Sequence, residues 1–286
     1  FFHAHEGLRE SSTSRGLGDV YKRQTIQSAV SALTSSGVSA PVTFNILSGV
    51  YTERVVIPEI SGASATNTIT IQSQAMSADS VTWAGSNQNW SFNYILRFNG
   101  ADHIIAKHLT FQGPASYYNR KIELTGVVDS VKVDSCNFRN TSNYTAGLGK
   151  AVYASGSAIT GFHMTNCDIQ YGQGIVISSI PDMSDVQFIN NTINHVTTGI
   201  QLDELQDSLN IIRGNQFTNI TNHCINISDN NGQIIIEDNH IYAPDASIGI
   251  YINAGNTSGS AAHRSKVINN LINAVVITIK LGIGYS

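Results

Sequence analysis

The chain has 286 residues, of which 41% are apolar and only 13% charged, and its formal net charge is −4. That apolar share can bury a core and excludes disorder, while the acidic balance argues against a general nucleic-acid binder. No apolar run approaches the ~18–20 residues that a membrane-spanning helix needs, and three cysteines (Cys136, Cys167, Cys224) without a CxxC or His-Cys cluster make neither a disulfide scaffold nor a metal site.

Ser14 to Gln24 reads Ser-Arg-Gly-Leu-Gly-Asp-Val-Tyr-Lys-Arg-Gln. Over its whole length this string is similar to the in-frame translation of a DNA-library adapter. Residues 1–24 are therefore expected to be non-native, the other reading being a basic N-terminal arm. Residues 25–286 are expected to form one domain, cut short at both ends. Residues 1–24 hold four Lys/Arg and three Asp/Glu, so the remainder carries 16 − 4 = 12 basic and 20 − 3 = 17 acidic residues, a net of −5.

Thr25 to Leu33 has apolar residues at 26, 29, 30 and 33, a one-sided helical stripe suited to plugging the open end of a solenoid. Val42 to Ile46 and Val55 to Ile57 read as the first strands. From about residue 103 a short pattern recurs: apolar, any, apolar, two polar, a small polar residue, any, apolar. It appears as Val131-Lys-Val133-Asp-Ser-Cys136-Asn-Phe138, as Phe162-His-Met164-Thr-Asn-Cys167-Asp-Ile169, and as Val186-Gln-Phe188-Ile-Asn-Asn191-Thr-Ile193. Ile234 to Ile241 is a further copy. The small polar position runs Cys136, Cys167, Asn191, Asn215, Asn239, Asn270, in steps of 31, 24, 24, 24 and 31.

A second strand pattern keeps pace. Gly174 to Ile177, Gly199 to Leu202, Cys224 to Ile227 and Gly249 to Ile252 follow one another at 25-residue intervals. Alternation over four or five residues means short strands with one buried face. A unit of this length holds three such strands and their bends, so each strand pairs with its copy in the next coil, about 4.8 Å away. The architecture is an all-β parallel β-helix of about 24 residues per coil with a short capping helix. Asn at each bend is expected to take the left-handed backbone conformation and to hydrogen-bond along the stack. Cys136 and Cys167 fill the same inward slot as small apolar residues. Longer turns interrupt the ladder at 113–120, 139–149 and 254–264, and Ala274 to Ser286 reads as an unfinished coil.

Thr25-Ile-Gln-Ser-Ala-Val, then Gly49-Val-Tyr-Thr-Glu-Arg-Val-Val-Ile57, resembles the opening of the pectin methylesterases. His108-Leu-Thr-Phe-Gln-Gly-Pro114 resembles a later stretch of that family. The likeness covers roughly residues 25–180 and implies the right-handed β-helix of the pectin-lyase-like superfamily. It does not extend to the chemistry. The family's catalytic Gln and two Asp fall on Arg120, Lys150 and Gly174, so methylester hydrolysis by that carboxylate mechanism is not expected.

By the same resemblance, the sheet carrying residues 121–124, 151–154, 175–177, 200–202, 225–227 and 250–252 bears the groove. Its outward residues include Arg120, Glu123, Lys150, Tyr153, Val176, Gln201, Asn226 and Tyr251. Cations beside a Tyr suit an acidic sugar chain, through carboxylate pairing and ring stacking. Arg120, Glu123, Tyr153 and Tyr251 are the candidate substrate-binding residues. Lys150 is the candidate base of a uronate lyase. The bland reading is an ordinary solvated sheet face.

Glu204 and Asp229 lie 25 apart, one coil from each other, and form a candidate acid/nucleophile pair of the retaining-glycosidase type. With Asp203 and nearby Asn230 they also suit a Ca²⁺ ion. Their bland reading is a set of exposed turn acids. Arg213 and Glu237 share one outward slot on adjacent coils and read as a surface ion pair. His163, beside Lys132, reads as a surface histidine. Two functions remain open: a secreted or cell-surface monomer that binds or processes polysaccharide, as lyase or hydrolase, and a non-catalytic adhesive module of a larger bacterial surface protein.

Overall fold

The computed structural model describes residues 25–85, 92–114, 119–140, 149–156, 158–178, 182–206, 208–230, 232–246, 248–254 and 265–280, with the backbone of 8–12 and 22–23. The 25–280 part is one coil of parallel strands behind a single helix. The helix spans Ile26–Ser36, three residues beyond the apolar stripe, because Gly37 ends it with a left-handed φ of 66° and donates its N–H to Leu33 O at 2.7 Å. At the other end the Thr25 hydroxyl accepts from Ser28 N at 3.0 Å. The Glu53 carboxylate, from the first coil, accepts from Ile26 N at 3.0 Å and Gln27 N at 2.9 Å. Two orphan donors and the positive end of the helix dipole are thus matched by one acid. Ile26, Ala29, Val30 and Leu33 are buried, closing the end of the stack.

Three sheets wind around one core. The first begins with Val42–Ile46 and Ile69–Ser73 and ends with Gln233–Glu237 and Lys266–Ile268. The second runs from Gly49–Thr52 to Leu271–Ala274, and the third from Val55–Pro58 to Ile277–Lys280. The strand Asp168–Ser178 passes through a corner and serves both the second and the third sheet. A small sheet of 128–129, 159–160 and 183–184 adds a fourth side to the middle coils. Every pairing from residue 42 onward is parallel, whereas Leu8–Ser12 runs antiparallel along Val42–Ile46. The interrupting segments expected at 113–120, 139–149 and 254–264 fall mostly on residues outside those described, as do 281–286.

Like side chains stack inside, as the repeat requires. Trp83, Phe111 and Phe138 form an aromatic column with ring centroids 5.6 and 5.4 Å apart. At the bend between the first two sheets Asn191, Asn215, Asn239 and Asn270 form a ladder. Asn191 donates from its backbone N–H and its Nδ2 to Asn215 Oδ1, at 2.9 and 3.0 Å. Asn215 does the same to Asn239, at 3.0 and 2.9 Å, and its Nδ2 also reaches Phe188 O at 2.8 Å. Every amide atom of Asn215 is thus used inside a dry core. Cys167 joins the ladder by donating its N–H to Asn191 Oδ1 at 2.9 Å, and the Cys136 N–H reaches Cys167 Sγ at 3.4 Å. The three thiols are free and buried, and burial pushes that of Cys224 up to about 12.

One expectation at this bend is corrected. The left-handed residues are not the ladder positions but those just before them: Ser135, Asn166, Asn190, Gly214, Asp238 and Asn269, with φ between 52° and 65°. The bend needs two residues with different duties. The first turns the chain, which Asn, Asp, Ser and Gly tolerate. The second points inward and bonds along the stack.

Candidate functional site

The outer face of the third sheet is set by strict register. Ile122 pairs with Leu96 and Val152 on the core side, so Glu123 stands outward between Arg97 and Tyr153. The row continues through Val176, Gln201, Asn226 and Tyr251. A parallel row at the start of each strand holds Tyr94, Arg120, Lys150 and Gln173. The structure therefore brings Arg120, Glu123, Lys150 and Tyr153 together, as expected. Tyr251 lies four coils from Tyr153 on the same row, with His223 edge-on at 6.2 Å.

Aromatic rings and cations interleave here. The Arg120 guanidinium lies 3.7 Å from the Tyr153 ring centroid, and the Lys150 amine 5.3 Å from the same ring. Arg97 covers Tyr94 at 3.7 Å, and Arg54 lies 4.8 Å from the Phe92 ring. Burial, and secondarily the Arg120 charge, hold the Lys150 amine below its ordinary value. Burial also lowers the His223 imidazole.

Glu123 departs from its expected role as an open groove residue. Its side chain is only 4% exposed; Oε2 accepts from Arg97 Nε at 2.6 Å and Oε1 from Arg120. Two guanidiniums bind its two oxygens and the side chain is enclosed, so Glu123 holds the arginines in place. Arg97 is the residue that the sequence reading missed. It lies 26 positions before Glu123, one coil away, in a strand upstream of where the repeat becomes regular.

Lys121 was missed as well. It is fully buried on the corner row of Ile95 and Ala151. Its amine donates to Asn140 Oδ1 at 2.8 Å, as Asn119 Nδ2 does at 3.1 Å. With amide partners and no carboxylate among the described residues, burial lowers it from 10.5 to about 7. Gly174 belongs to this inward corner, where an added Cβ would lie 2.0 Å from Gly199 O. The neighbour of Arg120 and Lys150 on the outward row is Gln173, not Gly174.

Glu204 and Asp229 lie on adjacent coils, as their spacing predicts, since Asp203 pairs with Ser228 just before them. Asp203 is bonded to Ser228 Oγ and accepts from Gln201 Nε2 at 3.3 Å. Glu204 and Asp229 occupy left-handed corners, φ 67° and 49°, and at Asp229 the register with the next strand slips between Ile227 and Asn230. Among the described residues no three His, Cys, Asp or Glu side chains converge to hold a metal, so the Asp203, Glu204 and Asp229 calcium set is not assembled. Arg213 and Glu237 do form the outward ion pair. His163 Nε2 lies 3.2 Å from Asp185 Oδ2, beside Lys132 in register.

No curated protein sequence matches the chain significantly. Among solved structures, Escherichia coli YbhC is 12% identical, covering 84% of this chain and 70% of that one with a TM-score of 0.52; at that identity the likeness is one of fold. A pectin methylesterase variant in complex with a hexasaccharide is 13% identical, covering 90% of this chain and 92% of that one, with a TM-score of 0.41. The family described as right handed beta helix region matches residues 120–279, more than half of the sequence. Together with the parallel three-sheet coil and its stacked interior, that match shows that the chain belongs to the right-handed β-helix family.

Proposed function

We propose that this chain is an extracellular or cell-surface protein that binds an acidic polysaccharide along the outer face of its third sheet. One observation carries the reading. Arg97, Arg120 and Lys150 stand on three successive coils beside Tyr94 and Tyr153, with Glu123 as the one carboxylate between them. Such a surface offers cations to uronate carboxylates, with the partly exposed Tyr153 beside them for a pyranose ring. It also stands out on a chain whose net charge is negative.

A second, finer reading rests on the lowered Lys150 amine. A lysine with a reduced pKa beside two arginines suits β-elimination. The arginines would neutralise a uronate carboxylate, Lys150 would take the proton from the carbon next to it, and the bond to the glycosidic oxygen would break as a carbon–carbon double bond forms. The departing oxygen would take a proton from water. The test uses pectate, alginate, glucuronan and chondroitin, in affinity gels and by ultraviolet absorbance of the unsaturated product. Retardation by an acidic polymer supports binding, and growing absorbance that is lost in Lys150→Ala supports the lyase. Retardation with flat absorbance would leave a non-catalytic binding module. Absence of retardation by every polymer would sink the binding reading.

A further inference from the structure

The outer face of the third sheet changes character after the fourth of its nine strands, and the change bears on the ligand. The first four strands of the third sheet carry Arg97, Arg120 and Lys150 on their outer rows, and Arg54 directly precedes them. Glu123 is their single outward carboxylate, and it is engaged by two of the arginines. The next four strands, residues 173–178, Thr198–Asp203, His223–Asn230 and Ile248–Ala254, contain no Lys or Arg. Their outward row is Val176, Gln201, Asn226 and Tyr251, preceded by Gln173, Thr198, His223 and Ile248. The charges they do carry include Asp203 and Asp229, both negative. Burial holds the His223 imidazole toward its neutral form.

We infer that, if the polysaccharide reading holds, the ligand is not a uniform polyuronate but a block heteropolysaccharide, acidic over the four cationic strands and neutral over the four amide and aromatic strands that follow. Each coil advances about 4.8 Å, close to the advance of one pyranose unit in an extended chain, so each set of strands spans about four sugar units. A homopolyuronate laid along both sets would place its later carboxylates over Val176 and beside Asp203, with no cation to meet them. Those charges would gain little and would repel the aspartates. Neutral sugars suit Gln201 and Asn226, whose amides donate to and accept from hydroxyls, and Tyr251, whose ring offers a stacking face.

The test measures dissociation constants of oligogalacturonates of increasing length, from dimer to octamer, with the full chain. Affinity should climb through about four units and then level off. An octamer with one contiguous acidic half and one methyl-esterified half should bind tighter than the fully acidic octamer, by about tenfold. The Gln201→Lys/Asn226→Lys variant, shown to keep the wild-type melting temperature, should restore the climb between tetramer and octamer. A wild-type affinity that keeps rising to the octamer would overturn the inference while leaving acidic-polysaccharide binding intact. An absence of binding at every length would overturn both.

Discussion

Glu123 lies buried between Arg97 and Arg120, with Oε2 2.6 Å from Arg97 Nε and Oε1 bonded to Arg120. The arginines are about one quarter exposed, whereas the carboxylate is almost fully enclosed. Removing either side therefore has unequal consequences. Arg97→Ala with Arg120→Ala strands a buried charge and should destabilise the fold by about 3–5 kcal/mol. Glu123→Gln keeps the shape and leaves two cations that water can still reach, and should cost about 1 kcal/mol. Urea unfolding of the two variants checks the order, and equal losses would contradict it.

The asparagine ladder makes a prediction about what can replace it. Asn215→Ala leaves the Asn191 backbone N–H and Nδ2 and the Phe188 carbonyl without their partner. Buried polar groups left unmade cost about 1–3 kcal/mol each, so a total loss of roughly 2–4 kcal/mol is expected after partial relaxation. Asn215→Cys should cost less, because Cys167 already accepts a backbone N–H at the equivalent rung. Chemical denaturation distinguishes the two. A cysteine variant no better than alanine would mean that the sulfur does not substitute for the amide.

Lys121 sets a pH dependence. In the folded chain its value is about 7 against 10.5 for the free side chain, so between those values the unfolded chain holds the extra proton. Stability must then rise with pH from about 7 to about 10.5, and the penalty below pH 7 is at most about 5 kcal/mol. Lys150, also lowered, adds in the same direction. Lys121→Met should raise the melting temperature at pH 7 and flatten the rise above it. A variant whose melting temperature falls at pH 7 and keeps the same slope would contradict the assignment.

Residues 1–24 bear on what the native chain contains. If Ser14 to Gln24 is translated adapter, the antiparallel strand Leu8–Ser12 contributes nothing that the coil needs. A chain starting at Thr25 should then melt within a degree or two of the longer one. A drop of many degrees would mark the N-terminal strand as part of the native fold.

The fold was legible because stacking forces each coil to repeat the last. The 24-residue spacing of Asn191, Asn215 and Asn239 translates directly into pairs such as Asn191 with Asn215. The site was legible only in part. Arg120, Lys150 and Tyr153 could be placed by counting, since register carries them outward. Arg97 escaped because its strand precedes the regular repeat. Lys121 escaped because alternation fails at a corner, where two successive residues, Lys121 and Ile122, are both buried. Counting also placed Glu204 and Asp229 on adjacent coils, but not their left-handed corners, because alternation carries no signal for a backbone that turns there.

The most direct test of the account is the affinity of polygalacturonate for the wild-type chain and for Arg120→Gln/Lys150→Gln, measured by calorimetry across a range of salt concentrations. Wild-type binding that weakens with salt, and a double variant that binds at least tenfold more weakly with a shallower salt dependence, is the predicted result. Equal affinity and equal salt dependence for the two proteins, with both shown to be folded, would mean that the outer face of the third sheet is not where an acidic chain is held.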